Sequence, residues 1–361
     1  MKNIEPKKYD YIDAIRGIAI LGVVFLHSSE WINPPSEILS RIADQGARGV
    51  QLFFIASALT LFLSLECRQG KEEKPALSFF IRRFFRIAPA FYLAIIIYTI
   101  DSGMSARHWA PNGVEWWYIP LTAFFLHGWH PEVISSVVPG SWSIADEMTF
   151  YLCVPYLFVK LTSIRSTLIA LFVALIFAKT TKIIIISFLS QIYPDSQQYL
   201  VGTFAFLWFF FQFPVFILGI LLYHILKRYP SGDNTIALLL LLLSIFLFGG
   251  FLTASFLPRS FLYGIAFVIF SLSLHYYPQK LLVNTVTIFI GKLSYSIYLV
   301  HFMVLRILKS VFPDGSILDS NSNFLLAFLL VLVLSACISY ITYKVVEVPG
   351  IKLGKKIISK L

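Results

Sequence analysis

The sequence predicts an all-α fold: a polytopic transmembrane helical bundle of about ten spans, with one re-entrant or interfacial segment and both termini cytoplasmic. Three observations predict it. Of the 361 residues, 58% are hydrophobic and only 13% are charged, where a soluble domain carries about 25% charge, and the mean hydropathy is +0.78. Several apolar runs reach the roughly 20 residues that cross a bilayer as helix. Lysine and arginine gather in alternate connecting segments, as the positive-inside rule requires of cytoplasmic loops.

Taken in order, the runs lie near 15–33, 49–65, 87–101, 142–160, 167–189, 203–223, 235–252, 259–275, 286–304 and 323–343. The first continues to span length without a small-residue cleavage site, so it reads as a span and not as a signal peptide. With the N-terminus inside, ten spans place most of the 29 lysines and arginines on the inner side. These include Arg68 to Arg86, Lys160 and Arg165, Lys227 and Arg228, Lys280 and Lys292, and the tail from Lys344. Counting the short piece 116–128, bounded by His127, His130 and Pro131, as a further span would move Lys160, Arg165, Lys227 and Arg228 outside. It is therefore read as re-entrant or interfacial. Lys179 and Lys182 interrupt the fifth run and are expected to snorkel to the outer interface.

No polar stretch is long enough to fold alone, so residues 1–361 are expected to form a single integral-membrane domain. Cys67, Cys153 and Cys337 show no metal spacing and no paired motif, so no metal and no structural disulfide are expected. The formal charge of +10 fits loops facing an anionic leaflet and gives no reason to invoke nucleic acid.

Four polar constellations interrupt the apolar spans. Arg16 and His27, eleven residues apart, fall on one helix face about 16 Å apart along the axis. Arg16 is expected at one interface and His27 well inside the hydrocarbon, where an ionisable side chain is costly and marks a functional site. The plainer reading is a histidine hydrogen-bonded between packed helices. Arg82, Arg83 and Arg86 crowd the start of the third span, where they suit a diphosphate or nucleotide or serve as ordinary membrane anchors.

Near residue 142, Asp146 and Glu147 begin a helix that Ser141 or Ser143 could cap. Helical spacing puts Trp142, Asp146 and Phe150 on one face, and Ser143, Glu147 and Tyr151 on another, more polar one. Aromatic rings beside acids also suit a sugar. In the ninth span, Ser294, Tyr298 and His301 share a face, either as packing glue or as a cavity lining. Glu347, after the last span, reads as a solvated helix end.

In order, these segments resemble acyltransferase family 3, the bacterial membrane O-acyltransferases. The resemblance rests on Arg16 with His27, Leu52-Phe-Phe-Ile-Ala-Ser57, Arg83-x-x-Arg86-Ile-x-Pro89-x-Phe-Tyr92, Ser141-Trp-Ser-Ile-x-x-Glu147-x-x-Phe-Tyr151 and Ser294-Tyr-Ser-Ile-Tyr-x-x-His301. It covers about residues 10 to 350. Glu347-Val-Pro349 looks like the family's Glu-Lys-Pro without its lysine, and Ala58 stands where the family often has glycine. The resemblance implies transfer of an acyl group, usually acetyl, from cytoplasmic acyl-CoA to a hydroxyl on an extracytoplasmic glycan or lipid-linked saccharide, in the bacterial inner membrane.

By residue, the resemblance makes His27 the catalytic histidine, with Arg16 supporting it or joining the donor contacts Arg82, Arg83 and Arg86. Glu147 becomes a second essential group toward the acceptor, with Trp142, Ser143, Tyr151 and His301 around the substrate. Many members carry a further hydrolase-like domain, which is not expected in this chain. The pantetheine arm of CoA, comparable in length to the Arg16–His27 rise, would thread the bundle toward His27. His27 would act as general base or would carry the acyl group as an acyl-imidazole. A small-molecule or protein acceptor, a proton-coupled transporter and a homo-oligomer stay open. Loops 34–48, 102–115 and 310–322 are expected to line the outer cavity.

Overall fold

A computed structural model of the chain describes residues 9–32, 34, 36–251, 258–312 and 321–361. The helices are α1 (Asp10–Ser29), α2 (Glu37–Gln45), α3 (Gly49–Arg68), α4 (Pro75–Ser102), α5 (Tyr118–Ala123), α6 (Trp142–Lys160) and α7 (Ile164–Leu189). They continue with α8 (Gln198–Leu207), α9 (Phe209–Arg228), α10 (Asn234–Phe246), α11 (Arg259–Tyr276), α12 (Thr285–Val311), α13 (Asn321–Thr342) and α14 (Val348–Ile358). Among the described residues there is no strand, and 8 helical stretches are long and apolar enough to cross a membrane. The protein is a multi-pass helical membrane protein.

Each of the ten predicted runs falls on a helix. The 19-residue α6 and the 13-residue α10 lie outside those eight stretches. The end of the 235–252 run, most of the 310–322 loop, and Lys2, Lys7 and Lys8 lie outside the described residues.

Two boundaries differ from the sequence reading. Helix α1 begins at Asp10 and ends at Ser29, so Arg16 sits almost two turns inside it and His27 in its last turn. Of the two, His27 is the one beside a helix end. Helix α4 begins at Pro75, where proline suits the first helical position. Arg82, Arg83 and Arg86 therefore lie in the third and fourth turns of a continuous helix, not at its start.

Segment 116–128 does not cross. The 6 residues of α5 reach only about 9 Å, against a hydrocarbon core about 30 Å thick. Phe125 stacks on Phe91 with ring centroids 5.2 Å apart, and His127 does so at 5.6 Å. Because Phe91 lies near the middle of α4, the segment dips along that helix toward the start of α6.

The described chain packs as two compact units, one of residues 9–56 and 231–349, the other of residues 57–230 and 350–361. In the first, α1 is the central helix and packs on α2, α11, α12 and α13. Lipid tails are as apolar as leucine, so membrane helices associate through close packing and not through burial of apolar area. Helices α1 and α12 achieve this with glycine. A Cβ on Gly17 would overlap the Thr287 carbonyl oxygen, and one on Gly291 would overlap the Asp13 carbonyl oxygen. The two helices run parallel, because Gly17 meets this crossing and His27, ten residues on, meets His301, ten residues after Gly291. Phe25 then packs edge-on against Phe324 and Phe328 of α13, each at 5.0 Å.

In the second unit, α6 lies against α9, where Phe150 stacks on Phe216 at 4.2 Å. The His224 ring nitrogen Nε2 donates to the Leu161 carbonyl at 2.9 Å, which satisfies an acceptor at the end of α6. The Lys182 ammonium lies over the Phe211 ring at 4.5 Å, a cation–π contact between α7 and α9.

Replacing Gly291 by leucine is expected to force α1 and α12 apart and cost about 1–3 kcal/mol. The purified variant should melt several degrees below wild type in detergent. Gly202→Ala, in α8 with nothing within 4 Å of the added carbon, should leave the midpoint unchanged.

Candidate active site

The α1–α12 register brings His27 to His301, with ring centroids 5.4 Å apart and Phe302 4.4 Å from His27. His27 is only partly covered, its side chain 21% accessible, and its Nδ1 lies 2.8 Å from Oε2 of Glu30. With Nδ1–H donating to that carboxylate, Nε2 is the nitrogen that can take a proton. Burial would raise the Glu30 carboxyl, but the hydrogen bond and charge of His27, together with Lys309, outweigh it and hold Glu30 below the usual carboxylate range. The sequence reading missed Glu30. Its position three residues after His27, on the same helical face, was the available signal.

His301 is fully buried. Its Nδ1 donates to the Ile297 carbonyl at 3.1 Å, and its Nε2 has no hydrogen-bond partner among the described residues. Tyr298 lies 5.8 Å from it, ring to ring. The shared face of Ser294, Tyr298 and His301 is inward, all three being buried. Lower in the same unit, Arg16 pairs with Asp13, Nη1 to Oδ1, at 3.7 Å. Glu347 departs from the expected solvated end. It is 4% exposed in a π-turn and accepts a hydrogen bond from Ser296, which in turn accepts from Thr342 at 3.2 Å. A carboxylate beside an apolar bundle is held where hydroxyl donors satisfy it.

In the second unit, a separate cluster forms around Tyr151. Its hydroxyl donates to Glu147 Oε2 at 3.1 Å, receives a hydrogen bond from Ser57, and lies within electrostatic reach of both Arg83 and Arg86. Phe79 packs edge-on against Tyr151 at 6.4 Å and carries the Arg83 guanidinium over its ring at 5.9 Å. The sequence reading placed Glu147 and Tyr151 on an outer face, apart from the arginines. The structure gathers them into one cluster, because α4 and α6 pack at Phe79 and Tyr151. Arg82 stands apart from its neighbours, committed to Glu72 through two bonds of 2.6 and 3.0 Å.

The capping reading of Asp146 and Glu147 is also corrected. Neither lies in the first turn of α6, and the Ser141 hydroxyl donates to the Ile134 carbonyl at 3.3 Å instead of capping the helix. Asp146 is 1% exposed, and its Oδ2 has no hydrogen-bond partner among the described residues. Trp142 packs beside Ile134 and Leu189, and Ser143 is buried. The Ser141 carbonyl is fixed by Nε2–H of His127 at 3.0 Å, so the re-entrant segment anchors the start of α6.

The family model described as an acyltransferase domain matches residues 9–344. The chain belongs to acyltransferase family 3. Its motifs lie where the two clusters lie: Arg16, His27, Ser294 and His301 in one unit, Ser57, Arg83, Arg86, Glu147 and Tyr151 in the other. Among curated family relatives, the chain is 25% identical over 97% of its length to a protein of Staphylococcus aureus strain COL provisionally named an O-acetyltransferase, covering 59% of that protein. It is 22% identical over 98% of its length to the O-acetyltransferase OatA of Staphylococcus aureus strain NCTC 8325, again covering 59%. The chain thus spans about three-fifths of the relatives it matches. No solved structure matches.

Burial pushes His127 down to about 4, opposed in part by its hydrogen bond to Ser141. An unfolded histidine takes up its proton near pH 6.5, so between 6.5 and 4 the unfolded state binds more protons. Stability should therefore fall on acidification through that window by about 1.4 kcal/mol per pH unit. The midpoint of wild type measured at pH 7 and pH 5 should drop by more than that of His127→Gln.

Proposed function

We propose that this domain transfers an acyl group, in the first instance acetyl, from acyl-CoA to a hydroxyl of an extracytoplasmic glycan or lipid-linked saccharide, in the cytoplasmic membrane of a bacterium. The observation that carries the reading is the His27–Glu30 pair: a part-exposed imidazole with one nitrogen oriented by a carboxylate and the other left to act. This is the arrangement that makes histidine an effective general base. The O-acetyltransferase names of the family relatives support acetyl as the group moved.

In the proposed reaction His27 Nε2 takes the proton of the acceptor hydroxyl as its oxygen attacks the thioester carbonyl. The tetrahedral intermediate collapses by breaking the carbon–sulfur bond, and the departing thiolate of CoA receives the proton from the imidazolium. Glu30 stabilises that imidazolium and fixes the ring. Arg83 and Arg86 take the role of phosphate contacts for the donor, where guanidinium suits bidentate binding. Tyr151 and Glu147 hold that arginine cluster in place. Arg82, bound to Glu72, is given a structural part in this scheme.

The parallel packing of α1 and α12 supports the ten-span topology on which this reading depends. Parallel helices need an odd number of crossings between them, which α3, α4, α6, α7, α9, α10 and α11 supply. A crossing by 116–128 would make the number even. An N-terminus inside then puts the His27 end of α1 outside, on the acceptor's side.

Purified protein incubated with labelled acetyl-CoA and candidate glycans should transfer label, and His27→Ala should lose about 10²-fold or more in turnover. Glu30→Gln should lose about tenfold or more in turnover with the donor KM unchanged. No transfer to any acceptor together with no CoA binding would overturn the reading.

A further inference from the structure

The first unit contains a half-buried arginine, its Nε buried, that no motif accounts for. Arg48 closes a single 3-10 turn, Gly46–Arg48, that joins α2 to α3. That turn is pressed against the middle of α1: a Cβ on Gly46 would overlap the Gly22 carbonyl oxygen, and one on Gly49 the Ala19 carbonyl oxygen. Arg48 is thereby level with residues 19–22 of α1, about 7 Å along the axis beyond Arg16 and about 10 Å short of His27. The stretch Glu37–Arg68 that carries it is among those long and apolar enough to cross a membrane.

An arginine at such a position is expensive unless something takes its donors. Arg16 has Asp13 and Arg41 has Glu37. Arg48 has no carboxylate among the described residues. Its guanidinium lies over the Tyr263 ring at 4.8 Å, and its buried Nε has no hydrogen-bond partner. Gln45, three residues earlier, has a buried Oε1 that is likewise unpartnered. Gln45 ends α2 and Arg48 ends the turn that follows, and residues three apart on a helical backbone are neighbours on its surface. The junction therefore offers an unsatisfied N–H donor and an unsatisfied carbonyl acceptor. Together they complement a single amide, its oxygen toward Arg48 and its N–H toward Gln45.

We infer that Gln45 and Arg48 form a binding station for an amide of the pantetheine arm of the acyl donor. The inference rests on the acyl-CoA reading above and adds to it a contact for the uncharged part of the molecule. The arm carries two amides on an otherwise flexible chain, and its length is comparable to the distance from Arg16 to His27. A station between those levels would hold the arm extended. Tyr263 supplies a face that keeps the guanidinium in place when no ligand is bound, without competing for its N–H groups.

The test compares two probes on purified full-length protein: CoA, and adenosine 3′,5′-bisphosphate, which keeps the phosphorylated adenosine and lacks the arm. Arg48→Gln should weaken CoA by about tenfold or more, as expected for loss of a charged donor's hydrogen bond, and leave the bisphosphate unchanged. Arg83→Gln, the phosphate-side comparison, should weaken both. Gln45→Leu should weaken CoA alone, and provides the answer if Arg48→Gln does not fold. A purely structural Arg48 would instead lower the melting midpoint of Arg48→Gln and leave CoA affinity as it was, which overturns the inference. So does equal weakening of both probes, which would make Arg48 a phosphate contact. Failure of wild type to bind either probe removes the donor reading itself, a result distinct from the other two.

Discussion

The contact between α1 and α12 is the constraint on which the first unit depends. In water, two apolar helices are driven together by the area they remove from solvent. In a bilayer that drive is absent, and what holds them is how closely their backbones approach. Gly17 and Gly291 allow each helix to rest on a carbonyl of the other, Thr287 and Asp13 respectively. Because the helices run parallel from that point, the register there decides which residues meet ten positions on, and these are His27 and His301. A glycine pair near one end of the helices thus sets the geometry of an imidazole pair about 15 Å away. The same device recurs where Gly46 and Gly49 rest on carbonyls of α1, so the central helix is gripped on more than one side by backbone.

Polar groups are sorted by a second constraint, that each must find a partner where water is scarce. Most do so locally. Glu347 is held by Ser296, Arg82 by Glu72, and Tyr151 by Glu147 and Ser57. Others keep a buried polar atom without a hydrogen-bond partner among the described residues. Those on Gln45 and Arg48 lie three residues apart at the α2–α3 junction, and that on His301 lies beside His27.

Much of this was legible in the sequence. Hydropathy and charge located every helix that carries a long apolar run, since a membrane span is a composition signal that needs no tertiary information. The motif residues were also legible as types: His27, Arg83, Arg86, Glu147, Tyr151 and His301 were all singled out. What the sequence did not show was which of them meet. Glu147 was separated from Arg83 because α6 was assumed to begin at the outer surface. Instead the re-entrant segment carries the chain down to mid-α4 before α6 starts, through the stack of Phe125 and His127 on Phe91. No periodicity encodes that dip. Glu347 was misread for a similar reason, since a π-turn after α13 turns it inward to Ser296. Arg48 and Glu30 went unnoticed because each looks ordinary until its neighbours are known.

The two histidines at the end of the α1–α12 register are not equivalent, and the difference decides which can act as base. A base must accept a proton and then bear a positive charge, so it needs a group that stabilises the imidazolium and a path for the proton to arrive. His27 has both: Glu30 at 2.8 Å and a side chain that is partly accessible. His301 has neither, being enclosed with Nδ1 tied to the Ile297 carbonyl. Protonating it would bury a charge with no carboxylate beside it among the described residues. Neutral His301 does have one capacity that His27 lacks. Its unpartnered Nε2 is a fixed acceptor, able to take a hydrogen bond without changing charge. In the proposed reaction His27 moves the proton, and His301 orients whatever donor group lies beside it.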